Sequence, residues 1–150
     1  MMLLEVAVSG TTMREVLLHG GMDEAFDRTV VFARQLAESF GARLHIVYTI
    51  EDPLAAGWTA EIGAERLPEV HQAIEDEARE RLARSISLED QERLSVELVI
   101  RIGPAVEEVV LYTDEHPIDL AIVHVPAGSS QTDLAQALIE RGRCAVLVLR

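Results

Sequence analysis

One stretch decides the fold of this chain, residues 118–150, which read IDLAIVHVPAGSSQTDLAQALIERGRCAVLVLR. It contains two short apolar runs, residues 120–125 and 144–149, on either side of a segment with helical spacing. Each run is too short for a buried helix and is rich in Val, Ile and Leu, so each predicts a strand buried on both faces. A strand, a helix and a strand in this order predict a crossover unit of a parallel sheet. The loop after Val125 would then lie at the carboxyl end of its strand, where such sheets bind ligands.

The rest of the chain repeats this alternation. Apolar runs at residues 15–18, 44–50 and 94–102 predict three earlier strands, and a segment with helical spacing follows each of them. The last of these runs alternates, which favours a strand near a sheet edge. Such an order predicts an α/β, Rossmann-like domain, a parallel sheet with helices on both faces and the first strand near the centre. Residues 1–12 are either an N-terminal extension or an extra edge strand, and residues 13–150 form the domain.

Composition narrows the class of protein. The chain has 150 residues, is 49% hydrophobic and carries a formal net charge of −13, so it predicts one packed domain that does not bind nucleic acid. The single cysteine, Cys144, cannot form an internal disulfide, which favours a reducing compartment. The N-terminus is apolar but short and has no basic lead-in, so neither a signal peptide nor a membrane anchor is expected. A cytoplasmic protein is predicted.

Four motifs, in their order and spacing, resemble the universal stress protein family: GARLHIVY (41–48), GPAVEEVV (103–110), DLAIVH (119–124) and RGRCAVLVLR (141–150). The resemblance implies an adenine nucleotide α-hydrolase-like domain, a five-stranded parallel sheet in the order 3-2-1-4-5, and commonly a dimer formed through the last strand. It also implies a role in the stress response. Some members of the family bind ATP and others do not. With this strand order the winding reverses between strands 1 and 4, which predicts a crevice between residues 19–21 and residues 124–130.

The residues at this crevice depart from the pattern of the ATP-binding members. Those members have an Asp at the end of the first strand, where this chain has His19. They also have a glycine-rich loop after the fourth strand that lets main-chain N–H groups approach phosphates. Here His124 replaces its first glycine, Gly128 lies near the second, and the final Gly-Ser pair aligns with Thr132 and Asp133. No cofactor is therefore expected, and ATP least of all.

A remnant ligand crevice is still predicted. Its residues would be His19, Gly20, Gly21, Val47, Tyr48, His124, Gly128, Ser129 and Ser130. The main-chain N–H groups of 128–130 could bind a small anion, or Ser130 could instead cap the helix that follows. His19 and His124 would face each other across the crevice, but two histidines alone do not make a zinc site, and no metal is predicted. His45 is expected to point between the layers of the fold.

Two functions from different classes follow. No nucleophile–base motif is present, so no enzyme is predicted. The first function is a stress-associated protein that acts through homodimerisation and contact with a partner protein, without nucleic acid or membrane. An apolar strand at a sheet edge exposes main-chain groups that another strand can pair with. The predicted dimer interface is Cys144, Ala145, Val146, Leu147, Val148 and Leu149. The second function is a sensor that binds a nucleotide or small ligand in a remodelled crevice.

Overall fold

The structure is a computed structural model that describes residues 12–20, 24–50, 64–126, 128 and 132–150. Nearly all of the predicted N-terminal extension, residues 1–11, lies outside this range, so neither reading of it is tested. In the described part of the chain, no helix is long and apolar enough to cross a membrane.

Strands and helices alternate along the chain. The strands are β1 (Glu15–His19), β2 (Arg43–Ile50), β3 (Glu97–Ile102), β4 (Leu120–His124) and β5 (Ala145–Leu149). The helices are α1 (Phe26–Phe40), α2 (Leu67–Ser85), α3 (Leu88–Arg93), α4 (Ala105–Glu115) and α5 (Asp133–Arg141), and a short 3-10 turn (Ala64–Arg66) precedes α2.

All five strands are parallel and lie in the order β3-β2-β1-β4-β5. The predicted fold class and strand order are therefore confirmed. The central strand β1 pairs with β2 on one side and with β4 on the other. The continuous apolar runs arise because β1 and β4 are buried on both faces, which leaves three and four of their residues, respectively, fully enclosed.

Side chains alternate between two cores, one on each face of the sheet. Val16 and Leu18 of β1 point into the core that contains α1 and the end of α2, whereas Leu17 points into the core that contains α4 and α5. On β4, Ile122 faces the first core and Val123 the second. Successive residues of a strand thus alternate between the two pairs of helices that their side chains contact.

The connection between α2 and β3 differs from the prediction of one long strand over residues 94–102. A short helix, α3, precedes the strand because Ser87 Oγ accepts a hydrogen bond from the Asp90 N–H at 3.2 Å and caps the helix. Leu94 ends this helix, and Ser95 turns the chain with φ of 51°. The strand itself begins at Glu97 and lies at the sheet edge, as its alternation predicts.

Two other boundaries are also corrected. Helix α5 begins at Asp133 with Thr132 as its N-cap residue, two positions later than predicted. Strand β5 begins at Ala145, and Cys144 precedes it. Gly41, in contrast, ends α1 with φ of 64°, and its N–H is directed at the carbonyls of Ala37 and Glu38.

Candidate functional site

The carboxyl ends of β1 and β4 lie side by side at the centre of the sheet. His19, the last residue of β1, is in register with Val123, and β4 ends one residue later at His124. The chain winds from β1 towards β2 and β3 in one direction and from β4 to β5 in the other, so the winding reverses here. This is the position at which open parallel sheets leave a crevice for ligands.

His19 is held towards β2 rather than towards β4. Its Nε2 lies 2.9 Å from Thr49 Oγ1, and Thr49 follows Val47, the register partner of His19, by two residues on the same face of the sheet. Burial lowers the pKa of His19 to about 4. The imidazole is therefore neutral near pH 7 and brings no charge to this end of the sheet.

His124 does not face His19. It is in register with Leu149 of β5 and shares its face of the sheet with Ile122, on the side of α1. His19 shares its face with Leu17, on the side of α4 and α5. The two imidazoles thus point to opposite faces, which corrects the predicted pairing. Within the described residues, no group of three or more His, Cys, Asp or Glu side chains could hold a metal ion.

Val47 lies level with His19 at the end of β1, and β2 continues three residues beyond it. Val47 is in register with His19 on one side and with Val99 on the other, and its side chain is fully buried. The strand continues to Ile50, which pairs with Ile102 of β3. Burial first, and then the Glu77 carboxylate, raise the pKa of Tyr48, while Arg81 opposes the shift, so this side chain faces α2. Thr49, which the sequence did not single out, is the residue of β2 that contacts His19.

Two of the predicted crevice glycines are described. Gly20 follows β1, and a Cβ atom there would lie 3.8 Å from Oγ1 of the buried Thr29 in the first turn of α1, which is ordinary contact. Gly128 is exposed and has φ of 79°, a conformation that favours glycine. Gly21, Ser129 and Ser130 lie outside the described residues, so the predicted anion site on 128–130 is not tested.

The last strand forms the other predicted site. β5 pairs with β4 and ends the sheet, so one side of its main chain is an edge. Val148 is 40% exposed, and Val146, Leu147 and Leu149 are partly buried. Cys144 is partly buried too, and burial raises the pKa of its thiol, which therefore stays protonated and weakly nucleophilic near pH 7.

A buried polar network lies near the amino-terminal ends of the strands, away from the crevice. His45 is only 2% exposed, and its Nε2 lies 2.6 Å from Glu15 Oε2 while its Nδ1 faces the hydroxyl of Tyr112 on α4. Tyr112 stacks on His116 with the ring centroids 3.9 Å apart. The prediction that His45 points between the layers is confirmed, and its partners tie β1, β2 and α4 together.

Comparisons with known proteins agree with this fold. The model of the universal stress protein family matches residues 16–150. The chain is similar to the solved structure of the universal stress protein UspA from Lactobacillus plantarum, with a TM-score of 0.64, 17% identity, and coverage of 93% of this chain and 99% of that one. It is also similar to a universal stress protein family member from Burkholderia pseudomallei, with a TM-score of 0.61, 18% identity, and coverage of 93% and 98%.

A third solved structure is described as a universal stress protein in complex with cAMP, and its TM-score is 0.61 at 19% identity, with coverage of 93% of this chain and 98% of that one. No curated protein sequence matches the chain. Identities this low establish a shared fold, whereas the family model covers the whole domain from the second residue of β1 onwards. The chain belongs to the universal stress protein family.

Proposed function

We propose that this universal stress protein domain acts in the cytoplasm as a homodimer that contacts a partner protein and does not bind ATP in the usual way. The observation that carries the proposal is the edge position of β5, an apolar strand on which Val148 is exposed. The proposal assigns the domain no catalytic role and no nucleic-acid partner, and the net charge of −13 opposes contact with phosphate backbones.

The edge of β5 supports dimerisation because an unpaired strand exposes a row of N–H and C=O groups that proteins usually cover. Two copies of β5 placed antiparallel would pair these groups around a two-fold axis and form a closed dimer. Val148 would then be buried between the copies, with the partly exposed Val146 beside it.

The residues at the crevice support the proposal that the domain does not bind ATP in the usual way. His19 stands where ATP-binding members of the family carry an aspartate, and it is neutral and bonded to Thr49. His124 replaces the first glycine of the phosphate loop and packs towards α1. Neither residue supplies the charge or the open main chain that a triphosphate needs.

Sedimentation equilibrium tests the dimer. A protein concentration of about 20 µM suits an association of micromolar strength. The wild-type protein is expected to have twice the chain mass of 16.6 kDa, and Val148→Asp is expected to have that mass once. Leu88→Asp is the matched control, because Leu88 is 73% exposed at the start of α3, beyond the other end of the sheet. Far-ultraviolet circular dichroism checks that each variant is folded. A wild-type monomer, or equal dissociation of both variants, would contradict the proposal.

A sensor of small ligands is the second candidate. Two observations favour it: the partly buried His19–Thr49 pair at the topological switch point, and the similarity to a universal stress protein described in complex with cAMP. Calorimetry with ATP, ADP, AMP and cAMP separates the two candidates. Binding tighter than about 100 µM, roughly 5.5 kcal/mol, that His19→Ala weakens would favour the sensor, whereas no heat with any of the four nucleotides supports the first proposal.

A further inference from the structure

A second concave site lies at the amino-terminal ends of the strands, opposite the crevice at their carboxyl ends. It has a volume of about 550 Å³, within the range of small-molecule pockets. Three parts of the chain meet there: the residue before β1, the turn between α1 and β2, and the turn between α3 and β3. The lining residues that matter for its chemistry are Arg14, Glu38, Gly41, Arg43, Arg93 and Ser95.

The charge of this pocket is opposite to that of the whole chain. The lining residues include three arginines and one carboxylate, that of Glu38, in a protein whose formal net charge is −13. Arginine has a planar guanidinium with five N–H donors, which suits oxyanions such as phosphate and carboxylate. Arginines therefore outnumber carboxylates among the residues that line this pocket, although carboxylates next to the lining pair with two of the arginines.

The main chain fixes two of these arginines next to each other. The Arg43 N–H donates to the Arg14 carbonyl at 2.8 Å, and the Arg14 N–H donates to Asp119 Oδ2 at 2.8 Å. The two side chains therefore start from neighbouring positions, one just before β1 and the other at the start of β2. The third arginine is held by carboxylates, because Arg93 Nη1 lies 2.9 Å from Glu38 Oε1 and Nη2 lies 3.1 Å from Asp90 Oδ1.

Arg14 differs from the other two in its partners. Arg43 pairs with Glu97 at 2.9 Å, so it and Arg93 are each neutralised by a carboxylate. Among the described residues, the side chain of Arg14 makes one hydrogen bond, from Nε to Thr12 Oγ1 at 2.9 Å, and no ion pair. Within the described part of the chain, its terminal nitrogens thus have no protein partner and can donate to a ligand in the pocket.

We propose that this pocket binds a small multivalent oxyanion, a phosphorylated or polycarboxylate molecule, through Arg14 with Arg43 and Arg93 as flanking donors. The two ion-paired arginines are held in place before the ligand arrives, which lowers the cost of ordering them. The full charge of Arg14 attracts the anion. The site is independent of the crevice at the carboxyl ends of β1 and β4, and of the edge of β5.

Nuclear magnetic resonance tests this site with two probes, inorganic phosphate and citrate, each titrated at pH 7.5 against sodium chloride of equal ionic strength. The amide signals of Gly41 and Ser95 are followed in the wild-type protein, in Arg14→Gln and in Arg28→Gln. The control removes the same charge from an exposed position in the first turn of α1, about 15 Å along the helix from the pocket.

Saturable shifts at Gly41 and Ser95 are expected, with an affinity that falls at least tenfold in Arg14→Gln and less than twofold in Arg28→Gln. Saturation by phosphate alone would assign the site to phosphorylated ligands, and saturation by both probes to oxyanions in general. Shifts that stay linear and match those in sodium chloride would overturn the proposal. Equal weakening in both variants, or shifts centred on His19 and Gly20 instead, would overturn it as well.

Discussion

His45 Nδ1 lies 2.6 Å from the hydroxyl oxygen of Tyr112, and both side chains are almost completely buried. The other ring nitrogen of His45 faces the Glu15 carboxylate, which only accepts hydrogen bonds when ionised. Nε2 therefore donates to Glu15, and Nδ1 pairs with the Tyr112 hydroxyl. One imidazole in this way joins strands β1 and β2 to helix α4.

Replacing Tyr112 with Phe is expected to lower the free energy of unfolding by about 1–3 kcal/mol, because it leaves a buried imidazole nitrogen without its hydrogen-bond partner. Urea denaturation measures the change. Tyr48→Phe is the control, since the hydroxyl of Tyr48 makes no hydrogen bond to another described residue and that side chain is only partly buried. Equal losses in the two variants would show that the His45–Tyr112 bond contributes nothing of its own.

The stability of the domain should fall as the pH drops from about 6.5 to about 4, the pKa of His19 in the folded state. The folded protein keeps this imidazole neutral, whereas the unfolded chain takes up a proton in that range, so acid favours unfolding. Carbon-13 resolved proton spectra of the histidine Cε1–H groups measure the pKa directly. A value near 6.5 for His19 would contradict its burial, and His19→Gln should remove this part of the pH dependence.

Changing Gly41 to Ala should cost about 1–2 kcal/mol, because residue 41 has φ of 64° and an L-residue with a Cβ is strained there. No atom lies within 4 Å of the position a Cβ would take, so the cost is conformational and not a clash. Gly20→Ala is the control, since its Cβ would make ordinary contact and its φ is outside the left-handed region. Thermal unfolding of both variants, followed by circular dichroism, distinguishes them.

Sodium chloride should stabilise the domain. The chain carries 26 acidic residues against 13 basic ones, and none of the basic ones is lysine. Raising the salt from about 0.1 M to about 1 M shortens the Debye length from roughly 10 Å to roughly 3 Å and screens this repulsion. Salt also weakens the exposed ion pairs, but this loss of stability is smaller than the gain from screening the repulsion, because each pair contributes about 1 kcal/mol or less.

The salt dependence of the melting temperature measures this effect. A double variant, Glu80→Gln with Glu140→Gln, removes two exposed carboxylates and should respond less to salt than the wild-type protein does. If the melting temperature of the wild-type protein fell with salt, the ion pairs and not the repulsion would dominate.

The sheet was predictable because of how parallel strands are built. β1, β2 and β4 lie inside the sheet and have buried residues in succession, so they stand out as mostly apolar runs, and the edge strand β3 is recognisable by its alternation. Helix α3 was not predicted, because Leu94 and Val96 extend the alternation of β3 towards the N-terminus. The capping serine at residue 87 was a signal that could have identified it.

The candidate site was less predictable, because side-chain direction depends on register. Sequence places His19 and His124 at the ends of neighbouring strands, but only the pairing of His19 with Val123 shows that they point to opposite faces. Thr49 was missed for the same reason. The partners of His45 are 30 and 67 residues away, so no local pattern reveals them.

Parallel strands give this sheet two chemically different ends. Arg14 and His19 lie at opposite ends of β1, five residues apart, which is about 17 Å along a strand. That distance exceeds the Debye length of about 8 Å at physiological salt, so solvent-exposed charges at one end scarcely influence those at the other. The effects of substitutions at the two ends should simply add. A domain built in this way can change the side chains at one end of its sheet through mutation while those at the far end stay the same, so that the two ends are free to diverge separately.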